Sequence, residues 1–439
     1  MEHTPPVSAS RFPRWVWPVL AALSVVALFL ALNHQAYDGY FQDDELDNIS
    51  WAPYVRTGHY LEGLFTPFFS VDNFRPPGHL YFTLMGGTFQ LEFAPYMTPI
   101  FAIHLANCLV LFLVVRQLGI GCWQALAGTV FFALSAGAMD AYWKPMYVFD
   151  LLCTFFVLLA VLFWAQRRFV LCFVAYWLAY KSKELAVLLP PVLLAYEYWL
   201  GERKYKPLIP FFLASLSFGV QGIVYNPNKN NGYTFRFTLD AIKHTGPFYL
   251  ERFLGFKRSG LLLLPLLLIK DRRVWFGVLG LFCLVSILLF LPGRMFTAYA
   301  YLPLAFAAIA MAAAATRLRP AFLLIPLLVW MPWNVRLLQT QQAATLAIDD
   351  QIYSFVDRIQ TWVAANPGIK TLVYDGAPPN FHDWGPTAAW NIPHHVLGLK
   401  AHFRDTSDAA KALREEVVAY GTWDYQRKKL TIRIHSPER

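Results

Sequence analysis

The chain is short of charge: Asp, Glu, Lys and Arg make up only 15% of its 439 residues, against 57% hydrophobic. A soluble domain carries about 25% charged residues, so the shortfall calls for a large surface that never meets water. Cysteine is scarce too. Cys108, Cys122, Cys153, Cys172 and Cys283 all sit within or beside apolar segments, and no CxxC pair occurs. They read as small, polarizable packing residues. The sequence has no P-loop, no Gly-rich dinucleotide fingerprint and no GxSxG elbow, which leaves ATP-driven transport and serine-hydrolase chemistry without support. No internal repeat or low-complexity tract is visible. The net charge of +9 does not mark a nucleic-acid binder, because the basic residues fall in short clusters between apolar runs.

Long apolar runs are abundant. Arg11-Phe-Pro-Arg14 followed by Trp15–Leu32 resembles a signal peptide, but the run is longer than a usual h-region and no small-x-small site follows. It reads as a retained first helix. Since roughly 20 apolar residues cross a bilayer, the expected spans are 15–33, 97–115, 122–139, 146–165, 169–180, 185–200, 207–224, 259–269, 274–292, 299–315 and 320–335. The fold class expected is an all-α polytopic membrane protein of about eleven transmembrane helices. If the N-terminus is cytoplasmic, one set of loops holds Arg11/Arg14, Arg116, Arg167/Arg168, Arg203/Lys204/Lys206, Lys270/Arg272/Arg273 and Arg317/Arg319. Every short loop of that set is basic, as the positive-inside bias requires.

The other set carries three long polar segments, 34–96, 225–258 and 336–439. Residues 1–335 are therefore expected to form the membrane module, with 34–96 as its first extracytoplasmic loop bearing short interfacial helices. Residues 336–439 are expected to form a small extracytoplasmic α/β domain. Its helix candidates are 341–365 and 408–420, and its strand candidates are Lys370–Tyr374 and Lys429–His435.

Four constellations lie on this outer side. Asp43, Asp44, Glu45 and Asp47 crowd four carboxylates into five positions after the first span. Like charges so close raise one another's pKa, and one of them could act as general base; the alternative is a solvated acidic loop. Lys181-Ser-Lys-Glu184 interrupts an apolar stretch, where charges are functional candidates by default, the alternative being a tight loop with Lys183 and Glu184 paired. Two outer lysines oppose the positive-inside trend and suit an anionic partner such as phosphate. Arg294 precedes Tyr301-Leu-Pro303 at an outer helix mouth, where a lone arginine can also merely snorkel. Asn73-Phe-Arg-Pro-Pro-Gly-His79 reads first as a structural turn, with Arg75 and His79 as candidate ligand contacts. His104 reads as an intramembrane hydrogen-bonder. Asn380-Phe-His-Asp-Trp384 and His394-His395 match no standard metal-ligand spacing.

The order of these motifs resembles the GT-C class of integral-membrane glycosyltransferases, notably the protein O-mannosyltransferases and lipid A aminoarabinose transferases (glycosyltransferase family 39-like). The resemblance spans roughly residues 15–335 and rests on several short motifs in order. The class's Asp-Glu pair falls on Asp44-Glu45, or one position earlier on Asp43-Asp44; Asp44 is preferred because Ile49 then takes the hydrophobic position five residues on. Its Lys-Pro-Pro-like segment falls on Arg75-Pro76-Pro77 with arginine replacing lysine. Its Ser-Lys-Glu falls on Ser182-Lys183-Glu184, and its late Arg with Tyr-Leu-Pro on Arg294 and Tyr301-Leu302-Pro303.

The resemblance implies a multi-pass protein of a bacterial inner or plasma membrane. It implies a polyprenyl-phosphate-linked sugar donor and a protein, lipid or glycan acceptor on the outer face. Asp44, with Asp43 and Glu45 beside it, is then the expected base. Lys183, Lys181, Arg294 and Arg75 are expected to hold the donor phosphate, with Glu184, His79 and Tyr301 contacting substrate. No cofactor is required, although Asp43 and Asp44 leave room for a divalent metal. A transporter or flippase, or a polymerase or ligase of lipid-linked glycans, would share the outer charges. Most spans here are apolar through their centres, which favours a one-sided site.

Overall fold

The computed structural model describes residues 16–68, 74–225, 231–319, 322, 324–381 and 384–437. Arg11, Arg14, Asn73, His382 and Asp383 fall outside the described residues. The first helix, α1 (Val16–Asn33), is apolar on all sides. The outer loop then folds into α2 (Asp43–Trp51), α3 (Thr57–Phe65) and α4 (Pro76–Phe89). Tyr54, Leu61, Phe65, Leu80 and Leu84 of this region are exposed, as interfacial helices require. The turn expected at Arg75–Gly78 is instead a helix start. Arg75 is the N-cap, and Pro76-Pro77 occupy the first turn, where no amide donor is needed.

The bundle continues with α5 (Ala94–Gln117), α6 (Cys122–Leu134), α7 (Met139–Trp143), α8 (Val148–Ala165), α9 (Phe169–Ser182), α10 (Leu189–Trp199), α11 (Ile209–Tyr225), α12 (Leu239–Arg252), α13 (Arg272–Ser286) and α14 (Tyr301–Ala314). Among the described residues, five helices are long and apolar enough to cross a membrane alone, and the pair α6 and α7, bent by 49°, makes six. The chain is a multi-pass membrane protein by that measure, but the count of about eleven is not reproduced. Proline accounts for two of the shortfalls. The expected span 185–200 divides into a 3-10 turn and an 11-residue α10 that restarts at Pro190-Pro191, and the span 259–269 forms a 3-10 segment containing Pro265.

At the centre stands α14, whose alanine-rich sequence is buried along nearly its whole length. Without a hydrophobic force between helices in lipid, close backbone approach must supply the packing, and small residues permit it. A Cβ on Gly277 of α13 would lie 2.5 Å from the Ala310 nitrogen, and one on Gly128 of α6 would lie 2.8 Å from the Ala308 carbonyl oxygen. Polar pins add to this. His104 contacts the Tyr301 hydroxyl at 2.7 Å and the Ala133 carbonyl at 3.1 Å, so it is an intramembrane hydrogen-bonder as expected. Asn107 donates to Leu151 O at 3.0 Å.

Helix α15 (Leu324–Ala365) runs unbroken for 42 residues across the boundary expected at 335/336. Its lower half is pinned to the bundle: Asn334 donates to Leu134 O at 2.6 Å and Gln342 to Leu32 O at 3.0 Å. Its upper half carries a four-stranded sheet of order β2-β1-β3-β4, comprising β1 (Leu372–Asp375), β2 (Ala401–Phe403), β3 (Val418–Asp424) and β4 (Lys429–His435). β1 pairs parallel with β2 and β3, whereas β3 and β4 form an antiparallel hairpin. Two further helices, α16 (Trp384–His394) and α17 (Ser407–Glu415), complete the region. The helix expected over 408–420 therefore stops at Glu415, where alternating burial from Val418 takes over as a strand.

At the end of α10 away from Lys183 and Glu184, Glu197 is fully buried. Its carboxylate accepts from Trp164 Nε1 (3.2 Å), Arg167 Nη1 (2.7 Å) and the amides of Glu202 (2.9 Å) and Lys204 (2.6 Å). Removing it leaves the buried Trp164 indole without its acceptor and takes from the half-buried Arg167 its closest carboxylate, leaving Glu202 at 3.5 Å. Glu197→Ala should cost about 2 kcal/mol, read as a lower unfolding midpoint in detergent together with faster proteolysis at residues 201–206.

Candidate functional site

Charged side chains from four distant segments meet in one cavity of about 260 Å³. Arg75 at the start of α4, Asp150 in the first turn of α8, Lys183 and Glu184 after α9, and Arg294 before α14 all line it. Each carboxylate takes one cation. Glu184 Oε1 accepts from Arg75 Nη2 at 2.6 Å and Nε at 3.0 Å, while Asp150 Oδ2 accepts from Lys183 Nζ at 3.0 Å. Lys183 also lies 4.7 Å from the centre of the Tyr299 ring. Arg294 differs. Its guanidinium stacks 3.7 Å over Tyr233 and its buried Nε finds no acceptor among the described residues. Leu185, Val187, Leu188, Phe218, Ile287 and Leu291 form the apolar wall.

Three cations against two carboxylates, one donor unsatisfied, and an apolar wall suit an anion carried on a hydrocarbon chain. The pairing explains how the cations persist there. Isolated charges at a membrane boundary are expensive, and each cation in an ion pair is oriented before any ligand arrives.

The expected phosphate contacts Arg75, Lys183 and Arg294 are thus brought together, and Glu184 joins them as an orienting partner. Others are placed elsewhere. Lys181 donates to Phe68 O at 2.9 Å; with Trp177 and Tyr180 bonded to Leu64 O and Pro67 O, it anchors the loop after α3. His79 is buried among the rings of Trp51, Phe74 and Phe149, and its Nδ1 accepts from the Arg75 amide at 2.8 Å. Burial pushes His79 down to about 3, so the ring is neutral and holds Arg75 from behind. Tyr301 points into the core against His104 and Asn107, and Tyr299 lines the cavity in its stead. Asp150, Tyr299 and Tyr233 escaped the sequence reading. Asp150 had left a signal, a lone acid inside an otherwise apolar span.

The acidic cluster on α2 is divided by its surroundings. Glu45 is consumed structurally: its carboxylate accepts from the Gln42 amide (2.5 Å), closing a capping box, and from the Met146 amide (3.1 Å). Asp43 is buried against Gly385 of α16, where any side chain would collide with its carboxylate. Asp44 accepts from Trp384 Nε1 at 3.0 Å. Helix α16 thus lies across the acids. Beneath them, Asp349 of α15 accepts from the Tyr40 amide (3.2 Å) and Gln42 Nε2 (2.7 Å), and Gln42 accepts from Lys144 Nζ (2.9 Å). Among the described residues, no three His, Cys, Asp or Glu side chains converge as metal ligands.

No protein-family model matches the chain, and no curated protein matches it in sequence. A solved structure does: ArnT from Cupriavidus metallidurans bound to undecaprenyl phosphate aligns with TM-score 0.55 over 97% of this chain and 99% of that chain, at 11% identity. The fold is ArnT-like. The match runs the full length, so it includes the sheet domain that the motif resemblance had left out.

Burial raises Glu45 to about 7 and Asp349 to about 6, from ordinary values of 4.5 and 3.8. The folded state therefore holds these protons more tightly than the unfolded chain. Their contribution to stability is full below the ordinary carboxylate range and is lost as pH rises through 6 to 7. The unfolding midpoint should fall between pH of about 5 and about 8, and Asp349→Asn should flatten that slope. A variant profile as steep as wild type would remove this clamp as its source.

Proposed function

We propose that the protein transfers a sugar from a polyprenyl-phosphate-linked donor to an acceptor on the extracytoplasmic face. The observation that carries this reading is the cavity, where Arg75, Lys183 and Arg294 face an apolar wall and Arg294 keeps an unmet donor. An ArnT-like fold supports it, since the similar protein was solved with undecaprenyl phosphate.

In this reading a carboxylate on α2 takes the proton from the acceptor's hydroxyl or amine. The freed lone pair attacks the anomeric carbon, the bond from that carbon to the phosphate oxygen breaks, and configuration inverts. Charge then grows on the departing lipid phosphate, where Lys183, Arg75 and Arg294 stabilise it. Asp44 is the best base of the cluster. Glu45 is tied up by two amides and Asp43 is packed under α16, whereas Asp44 meets a single side-chain donor, Trp384. With a monophosphate donor the three cations supply the charge that a metal would otherwise bring.

Arg294→Ala and Lys183→Ala should each weaken undecaprenyl phosphate binding, and each should lower transfer about 100-fold. Lys181→Ala should leave binding unchanged. Asp44→Asn should keep binding and lower transfer by about 100-fold or more. Wild-type transfer in both Asp43→Asn and Asp44→Asn would sink the base assignment. Mass spectrometry of envelope lipids and glycans from a deletion strain decides the function itself. Loss of one sugar substituent supports the transferase, whereas accumulation of a complete lipid-linked precursor points to a transporter or ligase.

A further inference from the structure

A second and larger cavity, about 940 Å³, lies between α6, the 3-10 segment Ser259–Leu268, α14 and α15. It sits toward the end of α14 opposite the candidate site. Tyr301 opens that helix beside Tyr299, and the second cavity touches α14 from Met311 onward, so about 15 Å of helix separates the two cavities. Gly128, Phe131, Leu266, Ala315 and Trp330 are among its lining residues, and Arg317 is the one charged residue among the described residues that line it.

Three observations define what it takes. First, the walls are apolar, and two of them, α6 and α14, belong to segments long and apolar enough to cross a membrane, so the lining suits a hydrocarbon chain. Second, Arg317 at the mouth is exposed, and its charge reaches Asp271 without a hydrogen bond or a close ion pair among the described residues. The neighbouring carboxylate, Asp271, is already engaged by Arg273 through its amide (2.9 Å), Nε (3.0 Å) and Nη2 (2.7 Å). Third, the Trp330 indole N–H is buried in the wall with no acceptor among the described residues. Trp330 lies six residues into α15, about 9 Å of helix from its start, so its free donor faces the apolar wall rather than the charged mouth.

We propose that this cavity is a binding site for an anionic phospholipid of the leaflet facing Arg317. Its phosphate meets the Arg317 guanidinium, an ester carbonyl accepts from Trp330, and an acyl chain fills the cleft between α6 and α14. The loop charges mark this face as cytoplasmic, and there the surface is anionic and a single arginine adds measurable selectivity.

The test uses full-length protein in nanodiscs of equal phosphatidylglycerol and phosphatidylcholine, released and read by native mass spectrometry. Wild type should retain phosphatidylglycerol over phosphatidylcholine, and Arg317→Gln should reduce that preference about five-fold. Ala315→Trp, which fills the cleft, should remove retention of both lipids. Arg317 is exposed, so its variant should fold, and an unchanged unfolding midpoint in detergent checks this. Equal retention of the two lipids by wild type would overturn the proposal, as would a preference that survives Arg317→Gln. Displacement of phosphatidylglycerol by undecaprenyl phosphate in the Arg294→Ala background would also overturn it, because the cleft would then belong to a polyprenyl chain.

Discussion

Everything at the charged mouth of this bundle rests on the pairing of charges that the membrane would otherwise reject. Asp150 enters α8 as a buried acid, and Lys183 must reach it across 3.0 Å for either to be tolerated. Glu184 does the same for Arg75. These two pairs tie α4, α8 and the break after α9 into one ring. They also leave Arg294 as the cation without a carboxylate there, stacked on Tyr233. Under the proposed reading, the lipid phosphate would meet cations already held in position, so little side-chain ordering would remain to oppose binding.

The second organising feature is the clamp beneath the acidic cluster. Glu45 and Asp349 look like catalytic carboxylates by composition and burial, yet both are spent on backbone amides and on Gln42. Their task is to fasten α2 to α15 and to the segment before α8. Because α15 continues into the sheet domain and α16 returns over α2, the membrane module and the sheet domain share a frame. The half-buried acid of the cluster that meets α16 through a single side-chain donor, Asp44, therefore lies at the seam between the two.

Much of the membrane architecture was legible because hydropathy is local and additive. Spans 97–115, 146–165, 274–292 and 299–315 reappear within a few residues. Misreadings arose where two local rules competed. Arg75-Pro-Pro-Gly read as a turn, but proline in a first helical turn is also a helix start, and only packing of Gly78 and His79 against Phe149 decides between them. Residues 418–420, expected as the end of a helix over 408–420, became the start of strand β3 because β1 and β4 were available on either side.

The sequence by itself determined that the chain spans a membrane many times, and that charged residues interrupt its apolar runs at Asp43–Asp47, Lys181–Glu184 and Arg294. Those are statements about single positions in lipid, where any unpaired charge stands out. Which charges serve a ligand and which serve the fold was decided by tertiary structure alone. Lys181 and Lys183 are two residues apart and chemically identical, yet one meets a loop carbonyl and the other meets Asp150 in the cavity. Helix α9 ends between them, and the extended backbone at Lys183 turns the two ammonium groups to different neighbours. No property of either lysine alone contains that difference.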